Sequence, residues 1–196
     1  MLNFGILLVI LSNLDHPLEQ VQAATPQIIT SRGDGSGVCI DPRGYILTAR
    51  HVTQKTCYVH FIHRRKEIAD VIYVEQGGRD SVVLLKCRSP GKYPYLRVSR
   101  KAPIKNKTPV ISVGYQGNNF RLERGKYLGN HFNAFVSDSQ SRLFDGYSFQ
   151  GVVGMSGGPI LAYNYEVVSL NVATGGCGFN YYTLIEIAAK IPENIQ

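Results

Sequence analysis

Gly154-Met155-Ser156-Gly157-Gly158-Pro159 decides how the rest of the chain is read. One serine stands among glycines, with a proline closing the stretch. Glycine accepts positive φ and lets other backbone come close, so a tight turn projecting one hydroxyl is predicted. Such a turn also aims consecutive backbone N–H groups at a single point, as stabilising an oxyanion requires. A serine hydroxyl is a poor nucleophile until a base takes its proton and a third group orients that base. The reading therefore needs a histidine and a carboxylate in suitable settings elsewhere.

Both stand in the first half of the chain. Tyr45-Ile46-Leu47-Thr48-Ala49 predicts a buried strand, and Arg50-His51-Val52 follows it directly, so His51 would be rigid yet able to reach a cleft. Asp80 precedes the apolar run Ser81-Val82-Val83-Leu84-Leu85-Lys86. A carboxylate at the mouth of a buried strand costs desolvation unless something hydrogen-bonds it, and an imidazole N–H would do so. Asp70 is the other nearby acid, but it lies within a strand-like stretch.

Around these residues the chain reads as strands. Gln27–Thr30 is a strand, and Gly33-Asp34-Gly35-Ser36-Gly37 is a flexible glycine-rich lead into Val38-Cys39-Ile40. Cys57–Ile62 and Ile68–Glu75 follow. Ser89–Pro109, rich in Pro, Lys and Arg, reads as a surface connector. Beyond it come Val110–Val113, Arg121–Leu128, Asn133–Asp138, Ser148–Val153, Pro159–Tyr163 and Glu166–Ala173, then a short strand at Tyr181–Leu184 and a helix at Ile185–Ile191. The 44% hydrophobic and 18% charged composition, with 29 glycines and prolines, excludes disorder and favours an all-β protein. Strands, connector, strands and a final helix suggest two antiparallel barrels of similar size.

The net charge of +7 collects at His63–Lys66, Arg97–Lys107 and Arg121–Lys126. These stretches carry no interleaved aromatics or nucleic-acid motif, so they read as solvated surface and no nucleic-acid partner is expected. Cys39, Cys57, Cys87 and Cys177 match no zinc spacing, and no metal or cofactor is expected. In an exported chain Cys39 and Cys57 could bridge; four reduced, partly buried thiols are the alternative. Leu2–Leu11 is an apolar run too short to span a bilayer comfortably, and small residues at Ala23 and Ala24 suit a cleavage site. Residues 1–24 are thus expected to be a signal peptide or an N-terminal membrane anchor with transient membrane contact, and the protein exported or membrane-associated. The alternative is a buried or interfacial helix that stays attached.

The order His, Asp, Ser is that of the chymotrypsin-type barrel. Gly35-Ser36-Gly37-Val38 with Gly44–Val52 resembles the histidine segment of trypsin-like serine proteases. Asp80–Lys86 resembles their aspartate segment, and Gly154–Leu161 with Glu166–Ala173 their nucleophile segment and the strand after it. In detail the chain looks most like the Deg/high-temperature-requirement branch, over about residues 27–190. The resemblance implies two six-stranded antiparallel chymotrypsin-like barrels, 25–95 and 96–196, the second ending in the helix. Nothing follows that helix, so no PDZ domain and no assembly through one are expected.

The resemblance also implies roles. His51 would be general base and then acid, Asp80 its orienting partner and Ser156 the nucleophile, with the N–H groups of Gly154 and Ser156 as the oxyanion hole. Phe149-Gln150-Gly151 and Val172-Ala173-Thr174 would line the primary pocket. None is charged, so a small or apolar residue before the cut in a protein or peptide substrate is expected. Met155 stands where zymogen-type proteases carry the aspartate that captures a new N-terminus, so that switch is not expected. The competing readings are a catalytically silent protease-fold binding protein, in which a triad residue is usually lost, and a virus-type processing protease.

Overall fold

The computed structural model describes residues 17–62, 64, 66–76, 81–100, 105–134, 142–173, 176–179 and 181–192. After the helix α1 (Pro17–Ala23), six strands form the first unit: β1 (Gln27–Thr30), β2 (Gly33–Asp41), β3 (Tyr45–Ala49), β4 (Thr56–His60), β5 (Glu67–Val74) and β6 (Val82–Cys87). They close as an antiparallel barrel in the order β1-β2-β3-β6-β5-β4. The second barrel runs β10-β11-β12-β9-β8-β7. Its strands are β7 (Pro109–Gln116), β8 (Asn119–Ala134), β9 (Arg142–Tyr147), β10 (Pro159–Leu161), β11 (Val167–Ala173) and β12 (Cys177–Gly178), followed by the helix α2 (Tyr181–Ala188). Two closed six-stranded barrels of chymotrypsin-like form are what the sequence led one to expect.

β3 and β6 are buried on both faces, which is why each reads as an unbroken apolar run. Ile46, Val83 and Leu85 fill the first barrel beside Cys39, Cys57 and Cys87. Leu47, Ala49, Val82 and Leu84 face the other way, into a cluster shared with Val113 and Leu170 of the second barrel and with Leu184 and Ile187 of α2. The second barrel has its own filling, built on Tyr127, Tyr147 and Phe149. Strand ends of the first barrel are thereby pressed against the second, and this is what positions the site.

Several local expectations change. The glycines of β2 are strand rather than flexible lead: a Cβ at Gly35 would meet Val52 Cγ1 at 2.5 Å, and one at Gly37 would meet Ile46 Cγ2 at 2.8 Å. They are close-approach positions. The two strands expected at 121–128 and 133–138 are one long β8 as far as Ala134; residues 135–140 lie outside the described ones. Ser148–Val153 is not strand, and Tyr181–Leu184 is the first half of α2, wound as a helix because Leu184 and Ile187 share one buried face. The expected surface connector is a strap. Tyr93, Leu96 and Ser99 are buried, and their N–H groups donate to Pro42, Cys39 and Val167 carbonyls at 2.8–2.9 Å.

α1 belongs to this body. Val21 and Ala24 are fully buried in the shared cluster, and the buried Thr25 hydroxyl donates to the Val21 carbonyl at 2.7 Å. Residues 1–16 lie outside the described ones. Among the described residues no helix is long and apolar enough to cross a membrane. All four cysteines are free thiols, so the alternative of reduced thiols describes this structure and the Cys39–Cys57 bridge does not.

Candidate active site

His51 sits in a single 3₁₀ turn, Arg50–Val52, that caps β3. Thr53 closes it, donating both its N–H (3.0 Å) and its hydroxyl (2.8 Å) to the Arg50 carbonyl. On the other side the β3–β6 ladder pairs Ala49 with Val82 and ends with the Arg50 N–H donating to the Ser81 carbonyl at 2.8 Å. A residue held between a strand end and a closed turn has little freedom, as expected for His51. Its Nδ1 is buried. Asp80 lies outside the described residues; the chain arrives at Ser81 opposite Arg50, the neighbour of His51.

Ser156 sits at the junction of two successive β-turns. The Met155 N–H donates to Val152 O at 3.1 Å, and the Gly158 N–H donates to Met155 O at 2.9 Å. The third residue of each turn is a glycine of positive φ, Gly154 at 98° and Gly157 at 82°. That is the demand of a type II turn. A β-turn leaves the N–H groups of its middle residues without a partner in the turn. Gly157 N–H is taken by Asn171 O at 2.7 Å, while among the described residues the N–H groups of Gly154 and Ser156 donate to no backbone carbonyl. The Ser156 hydroxyl donates to the Val172 carbonyl at 3.2 Å.

The serine turns meet the first barrel at β2 and the end of β3. Ser36 of β2 donates its N–H to the Ser156 carbonyl at 2.8 Å. A Cβ on Gly157 would collide with Thr48 Oγ1 and the Ser36 carbonyl and would lie 2.8 Å from Ala49 N. The residue after the serine is thus packed against the end of β3, two residues before His51. Only glycine fits there.

Of the expected pocket residues, Gly151 and Val172 are buried and Gln150 is exposed; the Ala173 side chain and Thr174 lie outside the described residues. Phe149 turns inward, stacked on Tyr147 with ring centroids 5.4 Å apart. Gly176 makes room here, since a Cβ on it would lie 2.6 Å from Phe149 O. Two residues escape a sequence reading. Asp145 on β9 is buried and hydrogen-bonded by the Tyr127 phenol, whose pKa is pushed up to about 12 by burial and by the Asp145 charge. Ser36 is fully buried and bonds to a residue of each serine turn, Gly154 and Ser156, a role that its place between two glycines signals only as a close approach. Met155, where an ion-pairing aspartate would be needed, is buried against the backbone of Gly114.

Two closed barrels, with a serine turn of one packed against β2 and the end of β3 of the other, define a chymotrypsin-like protein. The trypsin-like peptidase domain family matches residues 35–170, and the chain belongs to that family. No curated protein sequence matches significantly. Among solved structures, the chain is similar to the MamO protease domain from Magnetospirillum magneticum in its apo form, at 16% identity and TM-score 0.76, over 87% of this chain and 98% of that one. Deg5 aligns at 17% identity and TM-score 0.73, over 86% and 88%. A variant of the HtrA-type protease AlgW, solved with a tripeptide, aligns at 18% identity and TM-score 0.75, over 91% of this chain and 63% of that one. At these identities the likeness is one of fold, and the neighbours are of the HtrA/Deg type.

Proposed function

We propose that the protein is a serine endopeptidase that cleaves peptide bonds through His51, Asp80 and Ser156. The observation that carries this reading is the packing of Gly157 against the end of β3, beside two successive turns in which, among the described residues, the Gly154 and Ser156 N–H groups donate to no backbone carbonyl. In the reaction, His51 Nε2 takes the Ser156 proton as Oγ attacks the carbonyl carbon. The oxyanion accepts hydrogen bonds from Gly154 and Ser156 N–H, each worth about 3 kcal/mol at the transition state. His51 then protonates the leaving amine, and water hydrolyses the acyl-enzyme through the same imidazole. Asp80 would accept a bond from the buried Nδ1–H, fixing the tautomer that leaves Nε2 free as base.

Before attack the Ser156 hydroxyl must leave the Val172 carbonyl, which one rotation about its Cα–Cβ bond achieves. The same bond is the observation that favours the second reading, a silent binding protein. Turnover decides between them. Peptide hydrolysis by the wild type, lowered about 10⁴-fold in kcat by Asp80→Asn, supports the triad; a wild type that is folded but inactive supports the binding protein.

For specificity, the uncharged and buried Gly151 and Val172 favour a small or medium apolar residue before the cut. Cleavage profiles dominated by Arg or Glu would contradict this. For location, we read Leu2–Leu11 as an export or anchoring segment. The burial of Val21 and Ala24 favours its staying attached over cleavage at Ala23 or Ala24, which would take a core side chain away. The buried Met155 likewise favours activity without a captured new N-terminus.

A further inference from the structure

We propose that Ser36, in the first barrel, is a positioning residue that sets the oxyanion-binding turn of the second; this rests on the endopeptidase reading above. Ser36 Oγ accepts the Tyr115 N–H at 2.8 Å and donates to the Gly154 carbonyl at 2.8 Å. Its own N–H donates to the Ser156 carbonyl at 2.8 Å, and its carbonyl accepts the Thr48 hydroxyl at 2.6 Å. One fully buried residue therefore holds the peptide planes on both sides of the Met155–Ser156 unit. The hydroxyl reaches this point because Gly114 has no side chain: a Cβ there would stand 2.8 Å from Ser36 Oγ.

The two holds are separable. The bond to Ser156 comes from the Ser36 backbone and survives any side-chain change. The bond to Gly154 comes from the hydroxyl alone. Without it, the Gly154 carbonyl is left unpaired against the Tyr115 backbone, and a buried carbonyl in that state turns toward whatever donor it can find. Turning the Gly154–Met155 peptide pulls the Met155 N–H away from Val152 O and opens the first turn, the one that carries the Gly154 N–H. The nucleophile stays in place while one oxyanion donor is lost.

The test compares Ser36→Ala with Thr25→Val, which removes another buried hydroxyl, one that donates to the Val21 carbonyl and not to the serine turns. Active sites are counted by burst titration and kcat is expressed per titrated site, so partial unfolding does not register. Ser36→Ala is expected to lower kcat per site about 10- to 100-fold with KM within about threefold, and Thr25→Val to leave kcat per site unchanged. Equal kcat per site in Ser36→Ala and wild type overturns the proposal, as does an equal fall in both variants. Amide hydrogen exchange on the wild type gives a reading independent of turnover and of whether Ser36→Ala folds. The Tyr115 amide, bonded to the Ser36 hydroxyl, is expected to exchange slowly, and fast exchange there removes the clamp. A wild type without turnover but with a slow Tyr115 amide would sink the endopeptidase reading while keeping the clamp, so the two failures are told apart.

Discussion

Replacing Gly154 with alanine is expected to abolish most of the catalysis while leaving substrate binding nearly intact. Gly154 adopts φ 98°, and an added Cβ would stand 2.5 Å from the Tyr115 carbonyl oxygen and 3.3 Å from Gln116 Cα. The first contact is roughly 0.9 Å inside ordinary van der Waals distance, and both neighbours are strand backbone that cannot step aside. The non-glycine backbone conformation alone costs about 1–3 kcal/mol. Relief comes from moving the loop by close to an ångström, which takes the Gly154 N–H off the oxyanion. A displacement of that size, or the loss of one such donor, is worth about 10²- to 10³-fold in kcat. Steady-state kinetics on a peptide substrate, with active sites titrated, would show kcat down by that factor and KM changed less than about threefold. A Gly154→Ala protein with kcat within threefold of wild type would refute the placing of the oxyanion hole at this turn.

Three further outcomes follow from the same structure. Burial pushes the Cys39 and Cys87 thiols up from 9.0 to about 12, so both stay protonated in the folded state where the unfolded chain would ionise. The stability this represents is fully present below pH 9 and is lost as pH rises toward about 12, by about 1.4 kcal/mol per thiol for each pH unit; urea midpoints that do not fall between pH 9 and 10.5 would contradict it. Iodoacetamide at pH 8 should modify half-buried Cys177 well before Cys39, Cys57 or Cys87, and mass spectrometry of digests would show the reverse order if the first barrel were open. Val21→Ala should cost about 2 kcal/mol of unfolding free energy, because the side chain is fully buried between barrels; an unchanged denaturation midpoint would mean that α1 is no part of the folded body.

How much of this the sequence discloses depends on the range of the contact concerned. β3 and β6 are legible because burial on both faces leaves a continuous apolar run, and His51 because it follows such a run directly. Ser156 is legible because its turns require glycine at Gly154 and Gly157. The glycines of β2 mislead for the opposite reason. Gly35 and Gly37 are there for the close approach of Val52 and Ile46, and a close approach between distant residues looks in sequence like flexibility. Tyr181-Tyr182-Thr183 carries β-favouring residues, and only the shared buried face of Leu184 and Ile187 turns it into helix. Ser36 lies furthest from reach: its bond to Gly154 joins residues 118 positions apart through one hydroxyl and one carbonyl, and carbonyls leave no mark on a sequence.

The proposed function stands or falls with Ser156 as a nucleophile activated by His51. Its most direct measurement is labelling of the intact folded protein with a fluorophosphonate probe, with the adduct mapped by peptide mass spectrometry. One adduct per chain is expected, on Ser156, absent from Ser156→Ala and strongly slowed in His51→Ala. An adduct that persists in Ser156→Ala, or a well-folded wild type that takes up no probe, would contradict it.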